Sequence, residues 1–253
     1  MRLLTDIIEE AYALFAPYTL GNTLDVCKVC CVTEAEEQAL LAAPLREASA
    51  ELLNCGYLSS AHSSSDQERW EMKHFLPRVL ELVSQFDFPR FTPEVVFSRL
   101  DLNQPAYWPI AERELLADFA LAYFKQCLAH YPLPDGLELP EILLMFGQPY
   151  FDLAPLLQAW VAADTPSSIA HFTDLLLNGS RIVSNGIIKF GSAFSEPRHN
   201  QQLTTWLTNP LVQAAWKSQL EQVILRDQLH PNQAERASWA YEVLTHGLPK
   251  LPV

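Results

Sequence analysis

The segment Leu3–Pro17, LLTDIIEEAYALFAP, shows the pattern on which most of this chain is built. Its apolar residues recur three and four positions apart, which places them along one face of an α-helix. Charged residues fall between them and give the opposite face its polarity. We therefore predict an amphipathic helix that ends near Pro17 and buries its apolar face. That face consists of Leu3, Leu4, Ile7, Ile8, Ala11, Leu14 and Phe15.

Helix-start signals recur from this segment to the end of the chain. Thr33 with Glu36, and Ser65 with Glu68, have the spacing of a capping box. Three further sites place a capping residue before a proline, which favours the first helical position. These sites are Thr92-Pro93, Thr165-Pro166 and Asn209-Pro210.

These signals predict an all-α fold of about ten helices joined by short connections, packed as antiparallel pairs in one domain. The domain covers residues 1–253, with a subdivision possible near 131–136, and stacked pairs of this kind can form a superhelix. Only 8 glycines against 18 prolines argue against a fold built on tight β-turns. One helix is predicted at Leu45–Asn54 and another at Leu211–Leu229.

The segment Ile182–Phe194 does not follow the helical pattern. It contains Asn185-Gly186, a dipeptide typical of two-residue hairpin turns, with β-branched residues on both sides. We predict a loop between helices here, with a small hairpin as the alternative.

Composition and charge limit the classes of partner. The formal net charge is −13, which opposes binding to nucleic acid or anionic lipid.

The acidic residues inside the first apolar pattern argue against a secretory signal, and no stretch reaches the roughly 18 apolar residues that a membrane span needs. Five cysteines, an odd number, suit a reducing compartment. We expect a soluble, cytoplasmic protein.

The most specific local motif is Asp25–Cys31, DVCKVCC. Its C-x-x-C spacing allows Cys27 and Cys30 to bind one zinc ion, which takes four ligands in a tetrahedron. The remaining ligands would come from Cys31, Cys55, His62 or His74, and the candidate metal site is Cys27, Cys30, Cys31, His62 and His74. Two alternatives stay open, since the cysteines can pack as small apolar side chains or serve as a redox pair.

Two arginines near this motif are candidates for contact with an anion or ligand. Arg46 lies early in a predicted helix, and Arg78 follows Pro77. A guanidinium on an apolar helix face needs a carboxylate or phosphate partner. Nearby glutamates could supply that partner as ordinary ion pairs, and the alternative is a small anion bound at a helix N-terminus.

Several short motifs occur in a fixed order between Tyr12 and Leu100. They are Cys27-x-x-Cys30-Cys31, Leu40-Leu41-x-x-Pro44-Leu45-Arg46, Tyr57 with Ser60-Ala61, and Phe75-Leu76-Pro77-Arg78-x-Leu80-Glu81-Leu82. Taken together, they resemble a family of uncharacterised bacterial cytoplasmic proteins that carry C-x-x-C-C, P-L-R and F-L-P-R motifs. The resemblance implies a bacterial origin and a functional region in the amino-terminal half, and it implies no activity.

Two functions follow as hypotheses. The first is a protein-interaction or scaffold role with a protein partner, in which the cysteine motif holds a structural metal such as zinc. The second is an enzyme that uses Cys27–Cys31 with His74 and Arg78 for thiol or metal-dependent chemistry. The first is favoured because the sequence pairs no nucleophile with a general base. The oligomeric state is not predicted.

Overall fold

The computed structural model describes residues 2–183, 186–225 and 231–247. Within these residues the chain forms eleven α-helices and a single two-stranded sheet, so the all-α prediction is confirmed. The chain divides into two compact units. Unit 1 is Met1–Tyr123 with Gln148–Phe151, and unit 2 is Phe124–Gly147 with Asp152–Val253. The predicted antiparallel pairing, the superhelix and the single domain stay predictions.

Unit 1 contains four helices and most of a fifth, with short helical turns between some of them. Its helices are α1 (Leu4–Leu14), α2 (Glu34–Ala42), α3 (Ala50–Leu53), α4 (Asp66–Ser84) and most of α5 (Ile110–Ala129). Its short turns are Leu45–Glu47, Asn54–Leu58, Pro93–Val95 and Pro105–Tyr107. The capping box of Thr33 and Glu36 forms as predicted and starts α2. Ser65 caps α4 by accepting a hydrogen bond from the Glu68 amide.

Helix α1 packs on α4 through a narrower apolar face than predicted. Ile7, Ile8 and Ala11 are buried, and Phe15 is buried just beyond the helix. Leu3, however, is 62% exposed, because it is the residue before the first helical turn. The prediction that the whole stripe is buried is therefore wrong at Leu3, and burial is only partial at Leu4 and Leu14.

Two predicted helices are shorter or broken. The predicted helix Leu45–Asn54 is divided into the turn Leu45–Glu47 and α3, because Ser49 starts a new helix by accepting a hydrogen bond from Leu52. Thr92-Pro93 begins only a single helical turn. Pro77, in contrast, lies inside α4 without ending it.

Unit 2 contains the remaining helices and the sheet. Its elements are α6 (Leu139–Gly147), α7 (Ala154–Ala162), α8 (Pro166–Asp174), β1 (Ser180–Ile182), β2 (Ile188–Phe190), α9 (Pro197–Thr208), α10 (Pro210–Leu225) and α11 (Pro231–Glu242), with short turns at Pro134–Gly136, Leu175–Gly179 and Val243–Gly247. The last residues of the predicted helix Leu211–Leu229 lie outside the described residues.

The core of unit 2 is a cluster of large aromatic rings. Phe172 stacks on Trp216 with ring centroids 3.9 Å apart, and Trp160 stacks on Trp206 at 5.5 Å. The two pairs cross nearly at right angles, with Trp160 and Trp216 at 6.2 Å. Such offset and edge-to-face contacts stabilise beyond the area that they bury.

The segment predicted as a loop forms an antiparallel hairpin of β1 and β2. The loop prediction is therefore wrong and the alternative is confirmed, although Asn185 of the predicted turn lies outside the described residues. Helix α9 supplies the missing edge partners of β2. The Thr204 hydroxyl accepts from the Ile188 amide at 2.9 Å, and the Asn200 side chain accepts from the Phe190 amide at 3.0 Å. Side chains thus satisfy backbone donors that a third strand would otherwise pair.

In the part of the chain that the structure describes, no helix combines the length and the apolar character that crossing a bilayer requires.

Substitution of Ile7 by alanine tests the packing of α1. Ile7 is fully buried, so Ile7→Ala removes apolar contacts and leaves a cavity. We expect it to lower the free energy of unfolding by about 2–5 kcal/mol in chemical denaturation. Leu3→Ala is the matched control and should change little. Equal effects of the two substitutions would contradict the observed orientation of α1.

The burial of one histidine, His171, leads us to expect that the protein loses stability in acid. Burial lowers the pKa of His171, whose Nε2 lies 2.7 Å from the His130 carbonyl oxygen. Because the folded-state pKa lies below the unfolded value, protonation favours the unfolded chain. The contribution is present above about pH 6.5 and is lost as the pH falls through the folded pKa.

Chemical denaturation at about pH 7.5 and pH 5.5 measures this effect. His171→Gln keeps a donor for the carbonyl and removes the titrating ring, so this variant should lose less stability on acidification than the wild type. His246 is exposed, and His246→Gln should leave the acid sensitivity unchanged. An unchanged pH dependence in His171→Gln would rule out this origin.

Candidate functional site

The cysteine loop, Asp25–Val32, connects α1 and α2 in unit 1 and closes in a tight turn. The amides of Cys31 and Val32 both donate to the Cys27 carbonyl, at 3.2 and 3.1 Å. This turn brings the carboxyl-terminal end of the motif back over its beginning. Side chains that are three and four positions apart therefore meet on one side of the loop.

The turn brings three sulfurs together. Cys27 Sγ lies 3.5 Å from Cys30 Sγ, and Cys30 Sγ lies 3.4 Å from Cys31 Sγ. All three ligand atoms lie within 4.8 Å of one another. Two sulfurs on one tetrahedral zinc ion are about 3.8 Å apart, given Zn–S bonds of about 2.3 Å. The three-thiol group, Cys27, Cys30 and Cys31, thus has nearly the spacing of one face of a zinc tetrahedron.

Backbone donors favour a thiolate at Cys27. The amides of Cys30 and Val29 hydrogen-bond the Cys27 sulfur, and the Cys30 thiol adds to them, which lowers the pKa of Cys27 to about 7. Cys30 lies between the other two sulfurs, and its contacts with Cys31 and Cys27 raise its pKa to about 11. The first proton therefore leaves from Cys27, and a bound cation would help remove the others.

The loop is held on two sides by hydrogen bonds to neighbouring segments. The Cys27 amide donates to the Ser60 hydroxyl at 2.6 Å, and the Ser59 hydroxyl donates to the Cys31 carbonyl at 3.4 Å. On the other side, Lys28 forms an ion pair of 2.8 Å with Glu37, a buried residue of α2. The positions of the sulfurs therefore depend on residues outside the motif.

Asp25 fixes the start of the loop. Its amide donates to both carboxylate oxygens of Glu71 at 3.0 Å. Its own carboxylate accepts hydrogen bonds from the hydroxyls of Ser65 and Ser63, which lower the pKa of Asp25. Asp25 therefore joins the loop to the segment before α4 and to α4 itself.

The structure places the two candidate histidines in other contacts. His62 Nδ1 lies 2.6 Å from a carboxylate oxygen of Glu68, and His74 Nδ1 lies 2.7 Å from the Tyr18 carbonyl oxygen. Burial lowers the pKa of His74. Among the described residues, the group of close metal-binding atoms contains the three cysteines without a histidine. The five-residue metal site with His62 and His74 stays a prediction, and Cys55 likewise lies outside that group.

The two candidate arginines have carboxylate partners. Arg46 forms a bidentate ion pair with Glu9, in which its two terminal nitrogens lie 2.7 and 2.8 Å from the two carboxylate oxygens. Its guanidinium lies over the Tyr12 ring. Arg78 donates to Glu81 at 2.7 Å and to the Ala48 carbonyl at 2.8 Å. The sequence allows two interpretations, ordinary ion pairs and a bound anion, and these contacts are ordinary ion pairs. Glu9, however, is distant from Arg46 in the chain.

Sequence reasoning missed the buried residues that support the loop. Glu68 was recognised only as a capping residue, yet its side chain also pairs with the buried Arg99 and accepts from the amides of Ser63 and Ser64, at 2.9 and 2.6 Å. Arg99 in turn donates to the Ser60 carbonyl at 2.5 Å. Arg99 is about thirty residues from Glu68, and nothing in the pattern of the chain links the two.

Unit 2 holds a separate concave feature. A groove of about 530 Å³ lies between α7 and the pair α9 and α10. Apolar side chains line it together with glutamine, threonine and asparagine side chains, and none of its lining residues is charged. Its volume falls within the range of small-molecule sites. It contains no cluster of groups that could carry out chemistry.

The order of cysteine reactivity tests the electrostatics of the loop. In the reduced, metal-free protein at about pH 7, iodoacetamide should modify Cys27 first, because the thiolate is the reactive form. Cys127 is fully buried and should stay unmodified in the folded protein. Peptide mass spectrometry after short exposures measures the order. Modification of Cys30 or Cys55 ahead of Cys27 would contradict it.

Comparison with known proteins adds no relative. No protein-family model matches the chain, no curated protein matches it, and no solved structure matches it. The resemblance to a bacterial family therefore stays a prediction, and the cysteine loop is the feature of the chain that bears on function.

Proposed function

We propose that this protein binds one zinc ion per chain through Cys27, Cys30 and Cys31, and that the metal-bound loop belongs to a contact surface for a protein partner. The observation that carries the proposal is the three-thiol group, whose sulfurs lie 3.5 and 3.4 Å apart on one side of a single turn. A single ion of zinc size can contact all three.

The donor atoms favour zinc over hard cations. Thiolates bind zinc and copper(I), whereas magnesium and calcium prefer oxygen ligands. No carboxylate among the described residues joins the close group of ligand atoms. Zinc is also redox-inactive, so it can hold the loop without chemistry of its own.

The support around the sulfurs also favours a metal. Binding an ion costs less conformational entropy when the loop is already ordered, because fewer rotatable bonds have to be restricted. Here the amides of Cys30 and Val29 already point at the Cys27 sulfur, and Ser60 already holds the Cys27 amide. Packing alone does not account for three thiols that face one another at a surface where Cys30 is exposed.

The partner role depends on the exposed tip of the loop. Val29 lies between the first two cysteines and is 95% exposed. A metal that fixes the cysteines on both sides would hold this apolar side chain in one position. The free state of the five cysteines supports a cytoplasmic location, and the net charge of −13 supports a partner other than nucleic acid.

A thiol redox role is the second candidate. The separation of 3.5 Å between Cys27 and Cys30, together with a Cys27 pKa of about 7, favours disulfide formation. The enzyme hypothesis that adds His74 and Arg78 has less support. Both side chains are engaged by Tyr18, Ala48 and Glu81, away from the three-thiol group.

Metal titration tests the proposal. The reduced protein should bind one equivalent of cobalt(II), with thiolate-to-cobalt charge-transfer absorbance, and zinc should displace it because zinc binds thiolates more tightly. Cys27→Ser, Cys30→Ser and Cys31→Ser should each weaken binding strongly. Binding should also weaken as the pH falls, because the cation competes with protons for the sulfurs.

Cys55→Ser is the matched control, since Cys55 lies in unit 1 outside the three-thiol group, and it should bind cobalt like the wild type. Absence of charge-transfer absorbance in the reduced wild type would reject the metal site. A Cys27–Cys30 disulfide that forms readily in a protein without metal affinity would favour the redox role.

A further inference from the structure

The three-thiol group leaves a tetrahedral ion one ligand short. Structural zinc sites are closed by four protein ligands, whereas sites with three protein ligands keep a position for another molecule. In the part of the chain that the structure describes, the close group of ligand atoms ends at Cys27, Cys30 and Cys31. The surroundings of the group indicate where the fourth ligand comes from, and this inference rests on the zinc binding proposed above.

The acidic side chains that belong to the cysteine loop or pair with it already have partners. Asp25 accepts hydrogen bonds from Ser63 and Ser65. Glu37 is buried, where it accepts from the Leu24 amide at 2.7 Å and pairs with Lys28. A carboxylate that turned towards the metal would abandon these contacts and leave buried donors unpaired.

The two candidate histidines are engaged as well. His62 pairs with the buried carboxylate of Glu68, and His74 with the Tyr18 carbonyl oxygen. In each case Nδ1 makes the contact, and neither ring joins the close group of ligand atoms. A change of either ring to metal binding at Nδ1 would remove a partner from a buried or half-buried group.

The outer side of the group faces solvent. Cys30 is exposed, and Val29 beside it extends almost fully into water. A molecule from solution therefore reaches the three sulfurs without displacement of a protein segment. Among the described residues, no fourth donor atom joins the close group at this accessible position.

Charge decides which donor fits this position. Three thiolates on a zinc ion leave a net charge of −1, and a fourth thiolate would raise it to −2 on a chain whose formal net charge is already −13. Lys28, the basic residue of the loop, is paired with Glu37. A neutral donor adds no charge. We infer that the fourth coordination position is open to solvent and takes a small neutral nitrogen donor of the imidazole class.

Cobalt(II) spectroscopy of the full-length chain tests the inference. Imidazole and 2-mercaptoethanol are each titrated into the cobalt-loaded protein at one pH. Imidazole should shift the ligand-field bands in a saturable way while the thiolate charge-transfer absorbance persists, because all three sulfurs stay bound. Half-saturation should need less imidazole than thiol. Cys55→Ser should respond like the wild type.

The outcomes separate this inference from the metal proposal. A cobalt-loaded protein whose ligand-field bands ignore imidazole would show that the site is closed and would overturn the inference alone. Tighter binding of the thiol would overturn the preference for a neutral donor. Loss of charge-transfer absorbance on addition of imidazole would mean that imidazole removes the ion, which also overturns it. A protein that never binds cobalt through sulfur rejects the metal proposal itself.

Discussion

The buried carboxylate of Glu68 is the constraint on which the cysteine region depends. It lies in the first turn of α4, where it pairs with the buried Arg99 and accepts hydrogen bonds from the amides of Ser63 and Ser64. Arg99 continues the network to the Ser60 carbonyl. A buried ion pair of this kind contributes little net stability, but the loss of one partner is costly because the other is left as an unpaired charge. The network therefore fixes one arrangement of residues 60–68.

The arrangement of that segment determines where the sulfurs lie. Ser60 holds the Cys27 amide, and Ser63 and Ser65 hold the Asp25 carboxylate. Two residues of the cysteine loop are thus positioned by hydroxyl groups whose own positions follow from Glu68. The chemistry proposed for the thiols depends in this way on the buried ion pair of Glu68 and Arg99.

The sequence carries the local part of this structure. Helical spacing and capping residues predict the all-α class, the start of α2 and the start of α4, because these features are encoded within a few residues of one another. The proximity of Cys27 and Cys30 follows from the same local spacing. The sequence favours a loop over the hairpin because the edge of the hairpin is completed by Thr204 and Asn200 from a later helix. The pairing of Glu68 with Arg99 depends likewise on tertiary packing, which a single sequence does not reveal.

The aromatic cluster of unit 2 has an optical consequence. Indole rings as close as Trp160, Trp206 and Trp216, which are stacked at 5.5 Å or crossed at 6.2 Å, couple their electronic transitions. Coupled transitions in a fixed chiral arrangement give a circular-dichroism signal, and this signal is lost when the rings separate. The half of the chain without the metal-site residues therefore carries its own intrinsic spectroscopic label, which reports its tertiary order without a dye or a tag.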